Sequence, residues 1–236
     1  MAKYSAKESF ERLVEGNRRF TKGLRSIHTF IDGDKMRQLA ENGQRPFAVI
    51  LTCSDSRLPA ELLFDQGFGD LFVIRVAGNI VAPSLLASME FAILNLGTPF
   101  ILVMGHSGCG AVKAASDYVA NPSIELTENL RELVTRIEPS IHRAKVIHEQ
   151  KPSNDFLDIC TWENVNHTMK VIMEQSMTVR KLVESNSVMI QGAVCNLKTG
   201  EVTFKQSIES HTKKNVNSKD LKKIKKSDLS GQVISQ

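Results

Sequence analysis

The sequence predicts an α/β fold, with a mainly parallel central β-sheet flanked by helices and an antiparallel edge strand. Three observations lead there. First, Phe47–Thr52, Leu71–Val76, Phe100–Met104 and Val188–Cys195 are short apolar runs, each bounded by turn residues. That is the pattern of strands buried on both faces, as parallel sheets require. Second, these runs alternate with segments of helical periodicity, which indicates strand–helix–strand units. Third, the last run is followed by Leu197-Lys-Thr-Gly200 and then Glu201-Val-Thr-Phe204, a hairpin whose return strand is antiparallel.

The elements follow in order. Ser5-Ala-Lys-Glu8 has the Ser-x-x-Glu form of a capping box, and Phe10, Leu13, Val14 and Phe20 recur at helical spacing behind it. This amphipathic helix needs a surface for its stripe, on its own domain or on a neighbouring chain. A short helix is predicted from Asp34 to about Asn42, ending at Gly43. After the first strand, Leu58-Pro59 sets up another helix start. Asp65-Gln-Gly-Phe-Gly-Asp70 is a turn into the second strand, which Ala77-Gly78-Asn79 closes. Pro83 opens a helix through Met89, Phe91 and Leu94, and Gly97 suits its C-terminal end. A helix starts at Gly110 after the third strand, and Asn121-Pro-Ser breaks it. Leu126 to about Gln150 reads as helical with two interruptions, and Asp155–Glu184 as one long helical pattern.

At 236 residues the chain can bury a full core in one domain. No apolar stretch approaches membrane-spanning length, and the first residues lack a signal-peptide core, so a cytoplasmic protein is expected. Four cysteines suit that compartment as thiols. The net charge of +4 is a property of the tail: seven lysines against Asp220 and Asp228 lie beyond His211, which leaves the rest at −1. The division is residues 1–210 as the globular domain and 211–236 as a basic extension. No aromatic side chain interleaves the tail lysines as a nucleic-acid stacking platform would, so no nucleic-acid partner is expected.

The chemistry sits at two strand ends. Cys53-Ser-Asp-Ser-Arg57 follows the first strand, and His106-Ser-Gly-Cys109 follows the third. In an open parallel sheet, ligands bind beyond the carboxyl ends of the strands, so both motifs arrive at one edge. Two thiolates and an imidazole form a three-ligand zinc set with the fourth position open, the arrangement of a catalytic rather than a structural site. Cys109 also lies at a helix N-terminus, which favours its thiolate. Asp55 could occupy the fourth position. Arg57, though, can hold that carboxylate bidentately and keep it off the metal, where it would orient a zinc-bound hydroxide. Zinc lowers the pKa of bound water from ~15.7 to about 7. Two thiolates moderate that effect, so activity should rise toward alkaline pH. Cys160 and Cys195 read as buried thiols. Gly105-His-Ser-Gly-Cys-Gly110 has phosphate-loop spacing, but Ala111-Val112 stand where Lys and Ser/Thr are required, which excludes nucleotide hydrolysis.

Both signatures, with Phe72-Val-Ile-Arg-Val-Ala-Gly-Asn79 between them, resemble the β-class carbonic anhydrases over about Ser5 to Phe204. The resemblance implies zinc-dependent, reversible hydration of CO2 to bicarbonate and a proton. Cys53, His106 and Cys109 would bind one zinc ion per subunit, and Asp55 with Arg57 would form the catalytic dyad. Gln44, Phe72 and Gly110 match substrate-pocket positions. It further implies a homodimer or homotetramer, with pockets at the interface and the N-terminal helix packed on a partner subunit. Ile50 stands where the bicarbonate-inhibited subgroup has tryptophan, so the chain resembles the open-site, bacterial and plant-type subgroup. Phe91 and Asn95 replace a tyrosine and a histidine common in plant-type members, leaving His28, His142, His148, His167 and His211 as the histidines available for proton transfer. Hydrolysis of carbonyl sulfide or carbon disulfide on the same scaffold, or a zinc scaffold without turnover, are the alternatives.

Overall fold

The computed structural model describes residues 4–24, 33–150 and 155–205. The basic extension, His28 and His211 lie outside the described residues. Helix α1 (Ala6–Thr21) begins with the capping box at Ser5 and Glu8, and α2 (Gly33–Asn42) precedes β1 (Ala48–Thr52). A single turn, α3 (Ala60–Leu63), leads to β2 (Leu71–Arg75) and a 3-10 turn over Ala77–Asn79. Then come α4 (Pro83–Asn95), β3 (Phe100–His106), α5 (Gly110–Ala120), α6 (Glu128–Gln150), α7 (Phe156–Gln175) and α8 (Met177–Glu184). Strands β4 (Met189–Cys195) and β5 (Val202–Phe204) complete the chain.

The sheet order is β2-β1-β3-β4-β5, with β5 alone antiparallel. Successive side chains of a strand point to opposite faces. On one side Ala48, Ile50, Phe100, Leu102 and Met104 therefore join Leu13, Phe47 and Phe64 in one core. On the other, Val49, Leu51, Ile101 and Val103 meet Met89, Ile93, Val165, Met169 and Ile172. Every residue of β1 and β3 is buried, which is why these strands read as unbroken apolar runs. The chain moves outward from β1 to β2, then crosses back over β1 to β3. The carboxyl ends of β1 and β3 thus flank the topological switch point, where open α/β sheets place their crevice.

Three elements add to or differ from the sequence reading. Helix α1 packs on its own chain, one of the two destinations its apolar stripe allowed. Leu13 is fully buried, and Asn17 donates to the carbonyls of Leu63 and Gly200 while accepting from the Val202 amide. A Cβ on Gly16 would lie 1.8 Å from the Phe64 carbonyl oxygen, so the helix backbone rests directly on the chain after α3. Second, α6 runs without interruption through Pro139, because Val134, Ile137, Ile141 and Ala144 bury at helical spacing on both sides of it. That burial outweighs the ~3 kcal/mol cost of an interior proline. Third, the 155–184 segment is two helices. The Ser176 amide closes α7 on Ile172, and its hydroxyl caps α8 at Val179 and reaches Glu90.

Candidate metal centre

Cys53 is the first residue after β1, His106 the last of β3, and Cys109 the N-cap of α5. All three are buried, and their donor atoms lie within 4.8 Å of one another. Tetrahedral zinc, at about 2.3 Å from sulfur and 2.0–2.1 Å from nitrogen, needs donors roughly 3.5 Å apart, so three donors this close suit a single ion. The imidazole orientation fits that role. Its Nδ1 lies 3.0 Å from the Ser107 carbonyl oxygen, which can only accept, so Nδ1 carries the proton. Nε2 is left as a bare acceptor, buried and with no hydrogen-bond partner. An unpaired buried polar atom carries a desolvation cost unless something binds there.

The thiols point the same way. Cys53 is pulled down to about 4, first by a hydrogen bond from the Cys109 thiol, then by His106 and the Gly78 and Asp55 backbone. Cys109 is pushed up by hydrogen bonding to that thiolate and by burial, against the Val112 and Ala111 amides at the start of α5. The two sulfurs share one proton, which a bound cation would displace. Burial opposes protonation of His106, but the negative charge of Cys53 beside it outweighs burial and raises its pKa. Three buried donors converging on one point, one of them a bare imidazole nitrogen, form a Cys-His-Cys set that matches zinc.

Asp55 and Arg57 stand at the rim. Arg57 donates from Nε to one carboxylate oxygen at 2.9 Å and from Nη2 to the other at 2.7 Å, while its amide donates to the first at 2.9 Å. These bonds, led by the side-chain pair, hold the Asp55 carboxyl far below the usual carboxylate range. Its second oxygen lies 3.9 Å from His106 Nε2, so the carboxylate faces the centre without filling it. Gly110 opens α5 beside Cys109. Gln44 and Phe72 are not brought to this edge: Gln44 precedes β1, and Phe72 pairs with Val49 near the start of the strands. The length of β1 separates that end from Cys53 by about 13–16 Å. Cys160 and Cys195 are buried and raised to about 11 by desolvation, as inert core thiols are.

Two contributors were not recognised from the sequence. Gly78, at φ 68°, turns its backbone toward Cys53, and a Cβ there would meet Ile137 at 2.7 Å. Asn164 and Thr168 of α7 hold this turn by hydrogen bonds to the Gly78 and Asn79 carbonyls. A glycine bounding an apolar run was the available signal. Arg75, the last residue of β2, is the other: its Nε donates to the Cys53 carbonyl at 3.2 Å.

Comparison with known proteins agrees with this site. The carbonic anhydrase family matches residues 48–202. Carbonic anhydrase 2 of Mycobacterium tuberculosis is 34% identical over 200 residues, 85% of this chain and 93% of its own length. The carbonic anhydrase of Mycolicibacterium smegmatis is 32% identical over the same shares. Among solved structures, the β-carbonic anhydrase CcaA superposes with a TM-score of 0.65 at 26% identity, covering 88% of this chain and 95% of that one. A chain from the crystal structures of two tetrameric β-carbonic anhydrases of Sordaria macrospora gives 0.63 at 21% identity, covering 84% of this chain and 96% of that one.

Proposed function

The chain belongs to the β-class carbonic anhydrases, and on that premise we propose how its own residues hydrate CO2 reversibly to bicarbonate and a proton. The observation that carries the proposal is a buried Cys-His-Cys donor set with an arginine-held carboxylate at its open side. Cys53, His106 through Nε2, and Cys109 hold one zinc ion per subunit. Zinc, when bound, supplies a Lewis acid that brings the pKa of a coordinated water from ~15.7 to about 7. Asp55 accepts a hydrogen bond from the nucleophile and directs its lone pair at the carbon of CO2. Arg57 keeps that carboxylate ionised and in one orientation, so Asp55 does not itself close onto the centre. Bicarbonate leaves as water enters, and the proton passes to buffer.

Gly110 lines the pocket of its own centre. Gln44 and Phe72, at the opposite ends of β1 and β2, serve the pocket of a second copy, which makes the working unit a homodimer or homotetramer. Two features support this. Strand β2 is an open sheet edge on which Phe72 and Val73 are only partly covered. Phe91 and Leu94 are half exposed on the outer face of α4, a helix whose single charged residue, Glu90, is bonded to Ser176. Exposed edges and apolar patches of this kind are usually covered. Residues 1–210 form this zinc domain, with 211–236 as an extension. Among the described residues no helix is long and apolar enough to cross a membrane. A cytoplasmic setting would keep the site thiols reduced.

Stopped-flow CO2 hydration by the zinc-loaded protein, scanned from about pH 6.5 to 9 across the expected water pKa, tests the reading. The expected result is turnover rising smoothly toward alkaline pH. No turnover at any pH, with zinc bound, refutes it.

A further inference from the structure

We propose that Arg75 is a positioning residue for this site: one guanidinium fixes the metal ligand Cys53 and the dyad carboxylate Asp55 relative to each other through their backbone carbonyls. The proposal rests on the reading of the site given above. Arg75 ends β2 and pairs in register with Thr52, the last residue of β1. From there its side chain crosses the strand end. Nε donates to the Cys53 carbonyl at 3.2 Å, and Nη2 donates to the Asp55 carbonyl at 2.5 Å. The two carbonyls flank Ser54, so the clamp spans the whole step from ligand to carboxylate.

The other tethers of this loop do not do the same work. Arg57 holds the Asp55 carboxylate, and the Leu58 amide holds the Asp55 carbonyl, but both come from the loop itself. They make the dyad rigid internally without fixing where it stands. The Val76 amide bonds to the Thr52 carbonyl, one residue before the ligand. Arg75 is the side chain that reaches the loop's centre from the neighbouring strand. Among the described residues it has no ion pair with a carboxylate, so its charge is directed to these two carbonyls. Hydrogen bonds from a charged donor are roughly twice as strong as neutral ones. A misplacement of about 1 Å at a reacting group can lower the rate by ~10²-fold.

The test compares Arg75→Met and Arg75→Lys with the parent, as zinc-loaded full-length protein. Three quantities are read: the steady-state constants, amide hydrogen exchange at residues 53–58, and zinc release to a chelator. Arg75→Met is expected to lower kcat by about 10–100-fold while leaving KM nearly unchanged, because alignment rather than binding is lost. Exchange at 53–58 and zinc release should both accelerate. Lysine can reach one carbonyl, so Arg75→Lys should recover part of kcat and part of the exchange protection. Parent-like kcat or parent-like exchange in Arg75→Met overturns the proposal, as does a loss confined to KM. If Arg75→Met does not fold, Arg75→Lys decides: parent-like exchange and zinc release there also overturn it. Hydrogen exchange is read without turnover, so a parent protein inactive on CO2 would sink the functional reading and leave the clamp separately testable.

Discussion

Asp55→Asn is the most informative single change, because it keeps the shape of the side chain and removes its charge. The carboxylate receives three hydrogen bonds, all from Arg57, and all at 2.7–2.9 Å. An amide can keep its oxygen toward Arg57 Nε and the backbone N–H. Its nitrogen then opposes Arg57 Nη2, donor against donor, so one arm of the fork is lost. Stability should change little: Arg57 is 63% exposed, and such pairs are worth about 0–1 kcal/mol. For a chain of this size that is a Tm shift of roughly 2–4 °C at most. Activity should change far more. A positioned acid–base group contributes typically ~10²–10⁴-fold, so a loss of about 10²–10³ in kcat is expected, or ~2.7–4.1 kcal/mol. The assay is stopped-flow hydration alongside zinc content per chain. Full zinc with kcat within about 3-fold of the parent would refute the orienting role. Loss of zinc would also count against the orienting role, which leaves the metal to Cys53, His106 and Cys109.

Other expectations follow from the same geometry. His106→Ala should drop zinc stoichiometry from one per chain to near zero by metal analysis, since Nε2 is a bare, buried donor; retained zinc would argue against the Cys-His-Cys set. Gly78→Ala combines a 2.7 Å clash with Ile137 and a φ of 68°, so urea unfolding should show a loss of about 1–3 kcal/mol. Gly16→Ala drives a methyl into the Phe64 carbonyl and should lower Tm even in a dilute, monomeric sample, whereas packing of α1 on a partner alone would spare the monomer. The buried thiols Cys160 and Cys195 have pKa values raised to about 11 from 9.0. The unfolded chain therefore loses these protons first, and the stabilisation they give below pH 9 should decline between about pH 9 and 11, by on the order of 2 kcal/mol per thiol. The Cys160→Ala, Cys195→Ala double variant should show a shallower slope in urea titrations across that range; an identical slope would contradict the assignment.

The strands were legible because burial on both sheet faces leaves no ambiguity: β1 and β3 have no exposed position at which a polar residue could interrupt the run. The differences lie where tertiary packing overrides the local pattern or adds to it. Pro139 is a breaker by its own chemistry, and only the burial of Ile137 and Ile141 around it shows why α6 continues. Ser176 lies within an otherwise continuous helical pattern, and the structure shows its amide closing α7 while its hydroxyl caps α8 and donates to Glu90 of α4. The destination of α1 was open in the sequence, because an apolar stripe does not say what covers it. Asn17 and Gly16 seat it on its own chain, through contacts with residues as distant as Gly200 and Val202.

The site shows the same division between what motif spacing encodes and what topology adds. Cys53, Asp55, Arg57, His106 and Cys109 are readable because their chemistry is confined to two short motifs at strand ends. Arg75 and Gly78 are not, since neither belongs to those motifs and each acts through backbone atoms. Yet both leave β2 at the edge of the crevice where β1 and β3 diverge, and this gives their roles a common cause. A switch point opens a gap between adjacent strand ends, and the loops crossing it have lost the ladder bonds that fixed the strands. A metal centre there needs tethers from the flanking strand to replace them. The end of β2 and the turn after it supply two: the Arg75 guanidinium to the Cys53 and Asp55 carbonyls and the Gly78 backbone toward the Cys53 sulfur. If that is the reason for both, Arg75→Met and Gly78→Ala should each accelerate zinc release, and their effects should be more than additive when combined. Strict additivity would mean that the two tethers hold the ligand loop independently.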